Sequence, residues 1–234
     1  MSTGPHNFVL IHGAWHGGWA WRDVAPRLRA LGHQVTAPTM TGLGDRRHLA
    51  QGPIDLETHI EDIATHIEME DLHGVTLVGW SYGGMVATGV LARMPARIER
   101  MIYLDAFVPA DGKSLVDYVA PEMRGGMDEY KQRNEPLPPI PLPVFGVTDP
   151  AVAAFVEPRL TVQPWQTFYQ PVKALKQRPS IPMSYIVCTG FSPSPFQVRL
   201  AEMQADPGMT VTTLDADHLC LLSAPEATVA ALVS

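Results

Sequence analysis

Cysteine is scarce in this chain. Cys188 and Cys220 are the only two in 234 residues, too few for a disulfide framework, and both lie in apolar runs where a pair of buried thiols is expected. Charge is sparse too. Charged residues make up 18% of the chain, 24 acidic against 17 basic for a formal net charge of −7, and no basic block occurs, which argues against a nucleic-acid surface. No apolar run approaches membrane-spanning length. No basic stretch followed by a long apolar one precedes the strand-like Asn7-Phe8-Val9-Leu10-Ile11, so no leader is expected and a reducing cytoplasm is the expected location. No internal repeat is evident. What the chain does have is 46% hydrophobic residues, enough at this length for one full core. The composition leaves a homodimer open.

Short apolar strands alternate with amphipathic helices, the pattern of an α/β protein whose mostly parallel sheet is covered on both faces. Strands are expected near 7–11, 34–37, 74–79, 98–104, 182–188 and 210–214, with helices near 18–31, 56–72, 82–94, 194–205 and 225–233. Residues 110–180 break the alternation. Pro136, Pro138, Pro139, Pro141 and Pro143 crowd into EPLPPIPLP, a composition that sustains neither a long helix nor a central strand. Tyr118, Phe145, Trp165, Phe168 and Tyr169 are too many aromatics for a disordered linker. The expected organisation is a core of 1–109 and 181–234 with a small cap, 110–180, inserted in it.

Gly79-Trp80-Ser81-Tyr82-Gly83-Gly84 follows the buried-looking strand Val75-Thr76-Leu77-Val78 and opens a helical stretch. A nucleophilic serine must project its hydroxyl out of the sheet, and a strand-to-helix turn this sharp requires small residues two before and two after it. Gly79 and Gly83 supply them, so Ser81 is the candidate nucleophile and Trp80 a packing residue. An oxyanion formed on attack needs uncharged donors. Tyr82 N–H is one candidate; Ala14 N–H, in the HGAWHGGW loop after the first strand, is the other. His12 and His16 read as residues that order this loop or line a pocket.

The candidate base is His218, in Leu214-Asp215-Ala216-Asp217-His218-Leu219 directly after the last strand, at the sheet edge where Ser81 emerges. His59, His66 and His73 recur along one helix without matching carboxylate or cysteine ligands, so a solvated face is expected there and no metal.

Together GWSYGG, HGAWHGGW and the late Ala216-Asp217-His218 resemble the α/β-hydrolase superfamily, in the branch of plant methylesterases, salicylate-binding esterases, hydroxynitrile lyases and small bacterial relatives. The resemblance runs from Phe8 to Leu222 and fades in the cap. It implies an α/β-hydrolase fold and serine esterase chemistry through an acyl-enzyme, on a small-molecule ester and without a cofactor. Lyases of that branch carry a threonine after the first loop histidine and a lysine after the catalytic one. Gly13 and Leu219 stand there instead; an apolar Leu219 cannot accept the charge of a leaving cyanide, and Gly13 is expected to leave room for water or an alkoxy group. A cofactor-free lyase or dioxygenase, or a noncatalytic small-ligand receptor, is the alternative.

Such proteins usually carry the triad acid just after the penultimate strand, in the stretch matching Tyr185-Ile186-Val187-Cys188-Thr189-Gly190-Phe191-Ser192-Pro193, which holds no carboxylate. Asp105, ending the strand Met101-Ile102-Tyr103-Leu104, is the candidate for a moved acid, in the order Ser, acid, His. Asp217, as the immediate neighbour of His218, is expected to point away from it. Gly13, Trp15, Phe107, Trp165 and Leu219 are the candidate pocket residues, suiting a small apolar or aromatic group.

Overall fold

The computed structural model describes residues 4–234. Six strands form one sheet in the order β2-β1-β3-β4-β5-β6, every adjacent pair parallel. They are β1 (Asn7–Ile11), β2 (Gln34–Thr36), β3 (Val75–Trp80), β4 (Ile98–Leu104), β5 (Met183–Cys188) and β6 (Thr210–Leu214). All residues of β3 and β5 are buried, as expected of central parallel strands covered on both faces. The sheet is the α/β architecture expected from the alternation of elements.

Helices α1 (Ala25–Ala30), α2 (Leu56–Met69) and α3 (Gly83–Arg93) follow the first three strands. Asp55 caps α2 by accepting from Thr58 N–H, and Leu56, Ile60, Ile63 and Ile67 form its buried stripe. The buried residues of α3 run without a break from Gly83 to Leu91, because the helix is enclosed between the sheet and α2. The continuous helix expected over 18–31 is instead a 3₁₀ turn, Gly18–Trp21, followed by the short α1 with Pro26 in its first turn. The helix expected over 194–205 is likewise reduced to a 3₁₀ turn (Gln197–Arg199) and a short helix over Leu200–Ala205.

Between β4 and β5 lie α4 (Pro121–Arg133), α5 (Pro150–Val156) and α6 (Gln166–Tyr169), then after β5 come α7 (Leu200–Ala205), α8 (Cys220–Ser223) and α9 (Pro225–Val233). The 13-residue α4 corrects the expectation that this stretch holds no long helix. Its Pro121 occupies the first turn, where a missing N–H costs nothing, and it stops at left-handed Asn134, just before the proline run. That run carries an antiparallel bridge, Leu137 to Gln163, and passes into a 3₁₀ turn at Leu142–Phe145.

Candidate active site

Three loops leave the same edge of the sheet and meet. At the end of β3 the chain reverses into α3 through Ser81, whose φ of 56° is in the left-handed region. That turn closes because Gly79 and Gly83 have no side chains: a Cβ on Gly79 would lie 2.6 Å from Gly83 O, and one on Gly83 would lie 2.7 Å from Ile11 O. At the end of β4, Asp105 is also left-handed, with a φ of 40°. After β6, His218 is anchored from outside the sheet, its N–H donating to Phe145 O at 3.1 Å, while Trp80 Nε1 donates to His218 O at 2.9 Å. Trp80 is thus the packing residue expected, with one further task in holding the histidine loop.

The side chains form a continuous relay. His218 Nε2 lies 3.0 Å from Ser81 Oγ, and His218 Nδ1 lies 2.6 Å from Asp105 Oδ2. A carboxylate can only accept, so Nδ1 carries the proton and Nε2 is left to accept from the serine hydroxyl. The other carboxylate oxygen of Asp105 accepts from Cys188 N–H at 3.0 Å. Asp105 is fully buried; burial pushes its carboxyl above the ordinary range, opposed by His218 and the Cys188 N–H. Asp217 points elsewhere, accepting from Ser223 Oγ, and burial raises its carboxyl as well. In the stretch after β5, Thr189 and Gly190 donate to Leu214 O and Ala216 O, and Gly190 admits no side chain, since a Cβ there would lie 2.6 Å from Ala216 O. The backbone there is bonded to the histidine loop, and the carboxylate that meets His218 Nδ1 is Asp105, one strand over.

The loop after β1 presents the second edge of the site. Neither Ala14 N–H nor Tyr82 N–H finds an acceptor among the described residues, and both residues line the cavity above Ser81. Two histidines set the loop's peptide planes. His12 Nδ1–H donates to Gly13 O at 2.8 Å while its Nε2 accepts from Met40 N–H; holding that carbonyl orients the Ala14 N–H on the opposite side of the same peptide. His16 Nδ1–H donates to Ala14 O at 2.6 Å. Burial lowers His12 to about 3 and His16 to about 4, so both are neutral, as loop-ordering histidines should be.

The cavity, about 510 Å³, opens between the sheet edge and the segment linking β4 to β5. Phe107, Tyr118, Met123, Met127, Phe168 and Phe196 are among the residues of its apolar wall, and Trp15 also lines it. Three of the pocket residues expected from sequence do not. A Cβ on Gly13 would lie 3.0 Å from Ser81 Cβ and 3.1 Å from the Trp80 ring, so this glycine allows close packing and leaves no room for water or an alkoxy group. Leu219 is fully buried at the start of α8. Trp165 stacks edge-on with Tyr169 and donates to Asn134 Oδ1, away from the cavity.

Several contributors escape a sequence reading. Phe145, Phe191 and Phe196 enclose the His218 ring, with Phe196 stacked at 5.0 Å and an interplanar angle of 14°; the only signal was aromatic content. His59, expected on a solvated face, is completely buried. Its Nε2–H donates to Thr41 O and its Nδ1 accepts from Tyr82 O–H at 2.8 Å, and burial lowers it to about 4. No group of three His, Cys, Asp or Glu able to hold a metal occurs among the described residues.

A strand-turn-helix serine, a histidine after the last strand and a buried carboxylate on one parallel-sheet edge define the α/β-hydrolase class. Residues 8–232 match the alpha/beta hydrolase family, and the chain belongs to it. It is 39% identical, over 94% of its length and 95% of the relative, to the carbendazim hydrolyzing esterase of Nocardioides sp. (strain SG-4G). It is 40% identical to salicylic acid-binding protein 2 of Nicotiana tabacum, but only over 47% of this chain and 42% of that one. Among solved structures, an extracellular alpha/beta-hydrolase from a Paenibacillus species superposes with a TM-score of 0.82 over 98% of both chains at 25% identity. Family and relatives together mark the chain as a carboxylic ester hydrolase. No helix among the described residues is long and apolar enough to cross a membrane.

Proposed function

We propose that the protein is a serine carboxylesterase acting on small, largely apolar or aromatic esters through an acyl-enzyme. The observation that carries this reading is Ser81 Oγ at 3.0 Å from His218 Nε2, at the floor of an apolar cavity and beside two backbone N–H groups without acceptors. Ser81 Oγ attacks the ester carbonyl as its proton passes to His218 Nε2. Asp105 holds the imidazole with its proton on Nδ1 and stabilises the imidazolium that forms. Ala14 N–H and Tyr82 N–H take the oxyanion, and their fixed dipoles are most effective in a cavity walled by apolar side chains. His218 returns the proton to the leaving alcohol; water then attacks the acyl carbon, giving a proton to His218, which passes it to Ser81 Oγ as the bond to the acid breaks.

The wall argues for neutral substrates. Asp117 is the one charged residue lining the cavity, and its carboxylate already accepts from Ser114 N–H and Oγ–H. Residues 110–180 act as the cap that supplies part of this wall. The name of the Nocardioides relative makes carbendazim one substrate to test alongside p-nitrophenyl and methyl esters of varied acyl length.

The test is labelling with a fluorophosphonate followed by mass spectrometry, together with turnover across that panel. The adduct is expected on Ser81, and Ser81→Ala should lose at least about 10³-fold in ester hydrolysis while staying folded. An adduct on another residue, or a panel with no turned-over ester, overturns the assignment.

A further inference from the structure

The segment between β4 and β5 does more than wall the cavity: it grips the loop that carries Ala14. Gln163 is completely buried. Its Oε1 accepts from Trp15 N–H at 3.0 Å and its Nε2 donates to Thr167 Oγ1 at 2.8 Å. The amide can be oriented only one way, because Thr167 O–H is already donated to Pro164 O at 2.6 Å and must receive a proton, whereas Trp15 N–H must find an acceptor.

The grip extends along the whole residue. Trp15 O accepts from Thr161 N–H at 2.9 Å, and Trp15 Nε1 donates to Leu137 O at 3.2 Å. Leu137 and Gln163 themselves exchange two backbone hydrogen bonds, at 2.7 and 2.9 Å. Leu137 lies between Pro136 and Pro138, which favour extended backbone at this position and leave Leu137 to make the bridge. Trp15 is held in the left-handed region at a φ of 63°, a conformation that a bulky residue keeps only when its surroundings over-determine it.

The consequence falls on Ala14. The peptide joining Ala14 to Trp15 is clamped at both ends, His16 on its carbonyl and Gln163 on its N–H. The preceding peptide, whose N–H belongs to Ala14, is held only at its carbonyl, by His12. Free rotation of the Ala14–Trp15 peptide would swing Ala14 and misdirect that N–H. We propose that Gln163 is a positioning residue for the oxyanion site: by fixing Trp15 N–H it locks the Ala14 N–H onto the developing oxyanion of the ester. This rests on the serine esterase reading above.

The test compares Gln163→Met, which keeps the volume and removes the acceptor, with Gln163→Glu, which keeps an oxygen facing Trp15 N–H, and Thr167→Val, which removes only the partner on the other side of the amide. Steady-state kinetics on an ester that the wild type hydrolyses are read together with inhibition by a trifluoromethyl ketone, a probe whose bound oxyanion needs both donors. Gln163→Met should lower kcat by about 10- to 100-fold, less than outright loss of one oxyanion donor, with KM within about threefold and ketone affinity falling in step with kcat. Gln163→Glu should recover most of kcat, and Thr167→Val should retain it. If Gln163→Met does not fold, Gln163→Asn, too short to reach Trp15 N–H, carries the same expectation. Unchanged kcat with raised KM, or equal losses in Gln163→Met and Gln163→Glu, would mean that Gln163 merely holds the cap, and the proposal falls. Failure of the esterase reading looks different, since the wild type itself would then show neither Ser81 labelling nor ester turnover.

Discussion

Asp105 faces two demands at once, one oxygen on Cys188 N–H and the other on His218 Nδ1. An asparagine there can satisfy the first with its carbonyl, but it then presents an NH₂ group to Nδ1. The imidazole must turn its acceptor nitrogen to that donor, which puts a proton on Nε2 and removes the base from Ser81. Asp105→Asn should therefore cut kcat by up to about 10⁴-fold in a protein that still folds. Asp217→Asn, which disturbs contacts with Ser223 Oγ and the Leu219 backbone and leaves the bond to His218 Nδ1 in place, should change kcat by less than about threefold. Parallel kinetics on the two purified variants check this; the reverse order of severity would place the acid elsewhere. Asp105 was legible from its strand-end position. That its carboxylate would be tied to Cys188, in the stretch where the acid is usually found, was not.

At the scale of elements, the turn between β3 and α3 is a packing device. The Gly83 backbone lies against Ile11 O and His12 O, where an added Cβ would sit at 2.7 and 2.9 Å. These carbonyls end β1 and lead directly into the loop bearing Ala14. Gly83→Ala must push α3 away from β1, and so move Tyr82 N–H away from Ala14 N–H. A loss of about 1–3 kcal/mol in stability is expected from the overpacking, accompanied by at least about a tenfold fall in kcat as the two donors separate. Gly125→Ala provides the contrast. That glycine lies in α4 with nothing within 4 Å of its missing Cβ, so alanine should stabilise by roughly 0.5–1 kcal/mol without touching kcat. Urea titrations and rates on both variants decide the matter.

The whole molecule stores a pH dependence in its buried histidines. His12, His16 and His59 hold backbone groups as neutral rings, and burial lowers them from 6.5 to about 3, about 4 and about 4. In the unfolded chain each titrates near 6.5, so between those values the unfolded state binds more protons than the folded one. Stability is then fully present above pH 6.5 and is lost as pH falls toward 4, by about 1.4 kcal/mol per pH unit for each proton taken up. Asp105 and Asp217 run in the opposite direction, since their raised carboxyls bind a proton more readily folded than unfolded, but they are two groups against three. Urea unfolding at pH 8, 6 and 5 should show a midpoint that drops steeply below pH 6.5 at nearly constant m-value. A midpoint flat from pH 8 to 5 would mean these rings are not held neutral by the fold.

Local sequence was sufficient for the sheet and the chemistry-bearing turns. Short β-branched apolar runs determine buried strands, glycines at the second position on either side of Ser81 permit a sharp strand-to-helix turn, and a histidine after the last strand of a parallel sheet is delivered to the same edge. These are short-range consequences of backbone sterics and burial, and they were readable without knowing what any strand would lie beside. What packed against what was decided at long range. Gly13 looked like open space until Ser81 and Trp80 closed over it, His59 looked solvated until Tyr82 and Thr41 took both its nitrogens, and Trp165 looked like a pocket wall until Asn134 and Tyr169 drew it aside. Gln163 carried no signal at all, because a buried amide acquires its role only from the partners it meets, and Trp15 lies 148 residues away in the chain. Sequence determines which groups can do chemistry and at which edge they emerge; only the tertiary structure decides which of their hydrogen bonds are already taken, and so which remain for a substrate.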